Sequence, residues 1–260
     1  MKIAVLVKQV PDSETRIQLS EPAQKLDDSK FTRVLNPYDA YAVEEAVRIK
    51  ERAPGTEIVA ITIGAADRVR ETLKKDCLAV GCDRAIVVAD PALVDADEAG
   101  IAAVLAAALR QEACDLILAG KQAIDDDAAQ VGVRVAEILG IAHVAVVTKL
   151  DLADGALTAQ REIEGGVEIV QAKLPALITC QKGLNEPRLP SLPNIMKASA
   201  KPMRVVTCAD LGVEPPARTY DVKRYAPPPS RAACKVIAGD DPAAAAAELA
   251  RLLREEAKVI

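Results

Sequence analysis

The sequence predicts an α/β protein built on a doubly wound, mostly parallel sheet, and three observations support this fold class. Half of the 260 residues are apolar, yet aromatic residues make up 2% and tryptophan is absent. A core of Ala, Val, Ile and Leu packs well between a parallel sheet and its covering helices. Short apolar runs also alternate with helical patterns over the first 140 residues, as they do in βαβ units.

The predicted elements follow one another in a regular order. An apolar run rich in β-branched residues predicts a strand, and apolar residues three or four positions apart predict a helix. The predicted strands are residues 2–7, 57–63, 85–88 and 115–119. The predicted helices begin at Pro37, at Arg68 and at Ala99, and a fourth begins behind the aspartates that end at Asp127.

Asn36 and Pro37 mark the start of the first helix. An asparagine before a helix can accept a hydrogen bond from a free N–H group of the first turn, and proline supplies the backbone angle of the first helical position. We therefore expect the Asn36 side chain to cap this helix.

The pattern changes after residue 142. Turns at Asp154-Gly155 and Gly165-Gly166 separate three extended segments and predict a small antiparallel meander, which is added to the layered fold. Its predicted strands are residues 145–150, 157–161 and 167–172, with a last strand at 177–180.

The chain divides into three predicted parts. Residues 1–183 form the α/β domain. Residues 184–202, which we call the recognition loop, contain four prolines and are expected to be mainly irregular. Residues 203–260 form an extended C-terminal arm that passes Pro215-Pro216. It ends in a helix behind Asp241-Pro242 with one apolar face, made of Leu249, Leu252 and Leu253. The composition leaves open whether the arm packs on another subunit or on its own domain.

Charge and composition exclude several classes of function. The chain has 33 Lys and Arg against 38 Asp and Glu, and it has no basic stripe with stacking aromatics, which argues against nucleic acid binding. No apolar run reaches the length of about 20 residues that a membrane span needs, so we expect a cytoplasmic protein, or a matrix protein if a leader has been lost. The six cysteines include no C-x-x-C pair and are expected to be reduced. The single histidine, His143, makes a metal site or a histidine-based active site improbable.

The turns that follow the strands are the expected ligand site. Ligands of doubly wound sheets bind beyond the carboxyl ends of the strands, where the strand order reverses. The segment 115–132 is the most specific, because a buried strand, a loop with three aspartates and a helix start follow one another. Free N–H groups at a helix start bind phosphate. We expect Asp126 or Asp127 to cap that helix and another carboxylate to reach a ribose hydroxyl, although a merely well-capped helix explains the pattern equally well. Neither the P-loop pattern nor G-x-G-x-x-G is present.

Five segments together closely resemble one known family. They are VLVKQVPD, LNPYDAYAVEEAVRIKE, AGKQAIDDDAAQVG, REIEGGVE and LNEPRLPSLPNIMKA, and they occur in order over nearly the whole chain. On these motifs the chain resembles the β subunit of electron transfer flavoprotein (ETF), whose fold is similar to that of the adenine nucleotide alpha hydrolases.

The resemblance implies a nucleotide site. Proteins of this family form αβ heterodimers in which the α subunit holds most of the redox FAD and the β subunit buries AMP, or a second FAD in electron-bifurcating members that use NADH. The KQAIDDD form favours AMP here, although Ala128 replaces a common hydroxyl residue. The implied contacts are Leu6, Val7, Lys8, Asn36, Ile63, Gly64, Gly120, Gln122, Asp126, Asp127, Ala128, Ala129, Gln130 and Val131. Asp126 and Gln130 are the preferred polar contacts, with backbone amides of 128–131 for phosphate.

The resemblance also implies partner contacts, and we expect the C-terminal arm and its helix, residues 203–260, to pack on the α subunit. The recognition loop of the family docks on acyl-CoA dehydrogenases, with Leu192 as its apolar anchor and Pro193, Ile195 and Met196 beside it. Alternatively, these residues cover the chain's own core. Glu162 matches a position that pairs with an arginine of the α subunit near the flavin, and Ser13 stands where some relatives carry an aromatic residue.

The implied function is that of an electron carrier subunit with no catalytic residues of its own. Electrons would pass through FAD from acyl-CoA dehydrogenases to an ETF-quinone oxidoreductase. Two alternatives stay open: an electron-bifurcating ETF whose second FAD reacts with NADH, and an ATP-binding homodimer of the universal-stress type.

Overall fold

The computed structural model describes residues 1–20, 25–214, 217–231, 233–239 and 241–260. The Pro215-Pro216 pair of the predicted arm lies outside the described residues.

Outside the recognition loop, the observed elements agree in type and order with the predicted ones, and further short elements are present. The strands are β1 (Lys2–Leu6), β2 (Gln9–Pro11), β3 (Leu19–Ser20), β4 (Lys25–Leu26), β5 (Arg33–Leu35), β6 (Glu57–Ile63), β7 (Arg84–Val88), β8 (Leu116–Gly120), β9 (Ala142–Ala153), β10 (Ala156–Ile163), β11 (Gly166–Lys173), β12 (Ala176–Cys180) and β13 (Met203–Val206). The helices are α1 (Pro37–Arg52), α2 (Ala66–Thr72), α3 (Glu98–Glu112), α4 (Val131–Leu139), α5 (Leu192–Ala198) and α6 (Pro242–Leu252). A 3-10 turn covers Pro91–Leu93, and π-helical turns cover Leu73–Leu78 and Leu253–Ala257.

Within the described residues, one sheet of nine strands runs through the protein in the order β11-β10-β9-β12-β8-β1-β6-β7-β13. Every neighbouring pair from β9 to β13 is parallel, and only the pairs that β10 makes are antiparallel. The chain moves from β1 to β6 and β7 on one side and then returns to β8 on the other side of β1. The strand order therefore reverses between β1 and β8.

Alternate residues of the central strands face two separate cores. Ile3 and Val5 of β1 belong to the core shared with α1 and the π-helical turn Leu73–Leu78. Ala4 and Leu6 belong to the opposite core, which α3 and α4 cover. Both faces of the parallel sheet are thus buried, as the Ala-rich and Val-rich composition requires. The predicted α/β class with a doubly wound, mostly parallel sheet is confirmed.

The predicted meander is an antiparallel extension of the same sheet, because β9 pairs in parallel with β12 and antiparallel with β10. The edge strand β11 leaves most of its side chains exposed, including Val167 and Ile169.

The recognition loop departs from the expectation that it is mainly irregular, since residues 192–198 form α5. Ser191 accepts a hydrogen bond from the Asn194 N–H and caps this helix, and Pro193 lies in its first turn. Proline is tolerated there because the first N–H groups of a helix have no intrahelical partner. Within residues 184–202, regular structure is therefore confined to α5.

The C-terminal arm returns to its own domain over part of its length. β13 pairs with β7, and Val206, Cys208 and Leu211 join the core of α3 and α4. Further on, the N–H and hydroxyl of Thr219 donate to Asp97 at the start of α3, at 2.7 and 2.5 Å. In α6, only Leu252 is buried, whereas Leu249 is 48% exposed. Among the described residues, no helix is both long and apolar enough to cross a membrane.

We expect the substitution Leu118→Ala to destabilise the fold strongly. Leu118 is fully buried in the central strand β8, so its truncation leaves a cavity and costs about 2–5 kcal/mol of unfolding free energy. Val167→Ala on the exposed edge strand is the control and is expected to cost no more than about 0.5 kcal/mol. Urea unfolding measures both values, and equal stability of the two variants would contradict this description of the core.

Candidate functional site

The predicted ligand site lies where the strand order reverses. β1 and β8 are adjacent and parallel, with Leu6 opposite Ala119, so the turns after both strands meet at one edge of the sheet. α1 begins at the same place, because the Asn36 N–H donates to the Lys8 carbonyl at 2.9 Å. Three separate segments of the chain therefore converge on this edge.

The buried carboxylate of Asp39 joins these three segments. One of its oxygens accepts the Lys8 N–H at 2.7 Å. The other accepts the Gly120 N–H at 3.1 Å and the Asn36 side-chain amide at 2.9 Å. Burial raises the pKa of Asp39 to about 7, against the opposing effect of these hydrogen bonds. We did not predict a role for Asp39 in the site. The sequence marks it only as an acidic residue in the first turn of the helix that follows Asn36.

Asn36 occupies the expected position before α1 but does not cap it, so that prediction is wrong. Its side-chain amide donates to Asp39 and, at 2.9 Å, to the Gln122 carbonyl, while its Oδ1 accepts the Ile124 N–H at 3.2 Å. The Asn36 side chain is fully buried and lies between α1 and the loop after β8. The Asn36 oxygen that would have to accept an N–H of the first turn thus accepts an N–H from a residue 88 positions away instead.

Gly120 permits the close approach of α1 to β8. A Cβ at this position would lie 2.3 Å from Oδ1 of Asp39 and 2.8 Å from backbone atoms of Tyr38 and Asp39. Any side chain at residue 120 would therefore push α1 away from the strand. The glycine is required by space, and not by an unusual backbone angle.

Lys8 extends over the loop and holds two of its three aspartates. Its Nζ donates to Asp125 and Asp126, at 2.8 Å in each case. Burial opposes protonation of Lys8, but the hydrogen bonds to both aspartates outweigh it and raise the lysine pKa. Lys8 also lowers the pKa of Asp126, against the effect of burial. In the described part of the chain no cluster of three acidic, cysteine or histidine side chains is arranged to hold a metal ion.

The expectation that Asp126 or Asp127 caps α4 is wrong. The helix begins at Val131, and the residue at its cap position is Gln130. Asp126 instead accepts the Ala128 N–H at 3.0 Å, and Asp127 accepts the side-chain amide of Gln122 at 2.6 Å. The reason is the loop's path: Asp127 and Ala129 both have left-handed backbone angles, which turn the chain once more before the helix starts.

The start of α4 fits an anion. Gln130 occupies the cap position of α4 but makes no side-chain cap hydrogen bond. Its side-chain oxygen instead accepts from the Arg134 guanidinium at 2.7 and 3.0 Å. The free N–H groups and the dipole of the helix favour negative charge there. Lys8 pairs with Asp125 and Asp126 and offsets part of their negative charge. Gly132 allows α4 to lie close to β12, since a Cβ would be 3.0 Å from the Thr179 methyl group.

The remaining residues selected from the sequence lie beside the Asp39 network or outside it. Ile63 is the last residue of β6, which lies beside β1, and Gly64 follows it and donates its N–H to the Val88 carbonyl. Neither residue is among the hydrogen-bond partners of Asp39 in the described part of the chain. Glu162 is exposed on β10, and His143 is exposed on β9, both outside the Asp39 network. Ser13 is exposed in the turn after β2.

The recognition loop presents apolar side chains at a second place. Leu192 and Met196 are each 78% exposed and share one face of α5, four residues apart. Pro193 is also exposed, whereas Ile195 is half-buried and packs against the core. Leu189, which the sequence analysis did not select, is 92% exposed.

We expect Asp39→Asn to reveal the raised pKa of the buried carboxyl group. The asparagine NH2 would face an N–H donor, which costs about 1–3 kcal/mol at pH 5. Folding raises the pKa of Asp39, so the unfolding free energy of the wild-type protein falls as pH rises from about 4 to about 7. The variant lacks this titration, so the difference in unfolding free energy between the two proteins becomes smaller. Urea unfolding at pH 5 and pH 7.5 measures the gap. Asp67→Asn, at an exposed aspartate in the first turn of α2, is the control; a gap that widens with pH would contradict the assignment.

Comparison with known proteins gives a consistent result. A model of the electron transfer flavoprotein domain matches residues 25–211. Electron transfer flavoprotein subunit beta of Bacillus subtilis is 40% identical over 266 residues, with 100% of both chains covered. The human protein of the same name is 36% identical and covers 97% of this chain and 99% of its own.

A third relative carries a different name. Caffeyl-CoA reductase-Etf complex subunit CarD of Acetobacterium woodii is 35% identical, with 98% of this chain and 99% of its own covered. The match to the domain model and the full-length similarity to subunits of this name lead to one assignment: the chain belongs to the electron transfer flavoprotein family and is similar throughout to its beta subunits.

Proposed function

We propose that this chain is the β subunit of a heterodimeric electron transfer flavoprotein that holds AMP at the junction of β1, β8 and α1. The observation that carries the proposal is the Asp39 network together with the uncapped start of α4. The network holds the turn after β1, the end of β8 and the start of α1 together at the reversal point, and the helix start would supply N–H groups for a phosphate.

The proposed AMP contacts follow from this geometry and from the family resemblance. Of the expected amides of residues 128–131, that of Ala128 already donates to Asp126, so the phosphate would accept N–H groups near Ala129 to Val131, with the Lys8 ammonium group nearby. The ribose and adenine would lie along the turns after β1, β6 and β8, between Leu6 and Gly64. Asp126 is the preferred partner for a ribose hydroxyl, since its pKa stays low and it remains an acceptor. Gln130 would have to turn away from Arg134 to reach the nucleotide.

The chain's own residues would bind and orient, and none would act as acid, base or nucleophile. The Asp39 oxygens accept three N–H groups, and Lys8 is paired with two carboxylates. When bound, the FAD held mainly by the α subunit would accept and release the electrons. Glu162, exposed on β10, would pair with an arginine of the α subunit, and Ser13 would lie on the flavin side of the interface. We further propose that the heterodimer works in the cytoplasm.

A second candidate is the β subunit of an electron-bifurcating ETF, in which a second FAD replaces AMP and reacts with NADH. The observation that favours it is the full-length similarity to a subunit of a caffeyl-CoA reductase-Etf complex. The KQAIDDD form of the loop favours AMP, which is why we place the carrier first.

Released nucleotides decide between the two candidates. We expect this chain, copurified with its α subunit, to yield one FAD and one AMP per pair after denaturation. Chromatography with absorbance at 260 and 450 nm measures both. Two FAD per pair with bleaching by NADH would establish the bifurcating candidate, and a pair without any nucleotide besides FAD would contradict the AMP site.

We propose that the recognition loop docks on acyl-CoA dehydrogenases and that the reduced flavin passes its electrons to an ETF-quinone oxidoreductase. An exposed leucine on a short helix can enter a pocket of the partner with little loss of side-chain freedom. Pro193 and Met196 lie beside Leu192 and would widen this contact, whereas Ile195 would support α5 from within the fold.

We expect Leu192→Ala to lower kcat/KM for reduction by an acyl-CoA dehydrogenase about tenfold, the effect of losing one anchor side chain. Flavin content and thermal stability are expected to stay as in wild type, because Leu192 is exposed. Val94→Ala, at a residue that is 83% exposed elsewhere on the surface, is the matched control. Unchanged coupling in the Leu192 variant would remove the anchor role.

A further inference from the structure

The first part of the recognition loop is tied to α1 by a network centred on Arg188. The Arg188 guanidinium donates to both oxygens of Glu44, at 2.8 and 3.0 Å. It also donates to both oxygens of Glu51, at 2.5 and 3.1 Å. Two bidentate pairs fix the plane of the guanidinium as well as its position.

The two carboxylates lie in different environments. The Glu44 side chain is only 3% exposed and also accepts from Arg48 at 2.8 Å and from the backbone N–H of Arg188 at 3.2 Å. The Glu51 side chain is 56% exposed and accepts from Arg188 alone among the hydrogen bonds of the described residues. Glu44 therefore anchors the loop to the fold, and Glu51 orients the guanidinium from the solvent side.

Further contacts hold the loop on both sides of its exposed apolar residues. Before Arg188, the buried Asn185 side chain donates to the Tyr41 carbonyl at 3.0 Å and to Glu45 at 3.1 Å. After α5, the Lys201 Nζ donates to the carbonyls of Leu78 and Cys82, at 2.8 and 2.6 Å. The exposed residues Leu189, Leu192 and Met196 lie between these attachments.

We infer that Arg188 is a positioning residue that holds Leu189 and Leu192 in the arrangement in which the recognition loop docks. Leu189 follows Arg188 directly, and only three residues separate Arg188 from the start of α5, so loss of the guanidinium contacts frees both leucines together. A partner would then have to order the segment on binding, which weakens docking and leaves the electron transfer within the docked complex unchanged. The inference rests on the proposed docking function of the loop.

The test measures reduction of the αβ complex by an acyl-CoA dehydrogenase at varied concentrations of the complex. We expect Arg188→Ala to raise KM for the complex about tenfold with kcat unchanged, and Arg188→Lys, which can pair with only one carboxylate at a time, to raise it less. Glu51→Gln, at an exposed residue whose loss leaves the core intact, is expected to raise KM about threefold. Arg48→Ala is the matched control, because it removes one Glu44 contact but leaves the loop attached.

Hydrogen exchange supplies an independent readout. Residues 186–199 of the Arg188→Ala complex are expected to exchange faster than in wild type, while the flavin content and the rate of reduction by dithionite stay the same. The variant Leu192→Ala separates the docking function of the loop from the positioning role of Arg188. If it leaves KM unchanged, the docking function itself fails. If it raises KM while Arg188→Ala and Glu51→Gln leave KM at the wild-type value, the positioning role of Arg188 is overturned.

Discussion

The buried carboxylate of Asp39 is the interaction on which the candidate site depends. It accepts N–H groups from Lys8 after β1, from Gly120 at the end of β8 and from the Asn36 side chain before α1. A buried polar group without a hydrogen-bond partner costs more free energy than a hydrogen bond contributes. Displacement of one segment would leave such a group, so the carboxylate favours the arrangement in which all three segments are in place. The same constraint leaves no room for a side chain at Gly120.

The second determinant is the division of tasks within the loop after β8. Lys8 pairs with Asp125 and Asp126 and offsets part of their negative charge, and Asp126 and Asp127 stabilise the turn instead of the helix. No side chain of the described residues caps the start of α4, so its first N–H groups would be free for the proposed phosphate. The Lys8 ammonium group would weaken the repulsion between the loop carboxylates and that phosphate.

The fold followed from the sequence because its signals are local and periodic: β-branched runs gave the strands, and the Ala-rich pattern gave α3. The roles of single polar residues did not follow. Asn36 and Asp126 have the side chains of helix caps, but longer-range or turn partners compete for them. Asp39 and Arg188 act through partners 81 and 144 positions away, which no local pattern reveals. The number of prolines led us to predict irregular structure for residues 192–198, which form a helix because proline is compatible with a first helical turn.

Hydrogen exchange of the αβ complex, stripped of its nucleotide and then reloaded with AMP, shows whether AMP binds where the three segments meet. We predict that AMP slows exchange in peptides that cover residues 6–9, 36–39 and 120–133, where these segments meet and α4 begins. Protection confined to other regions of the chain, with these peptides unaffected, would contradict it.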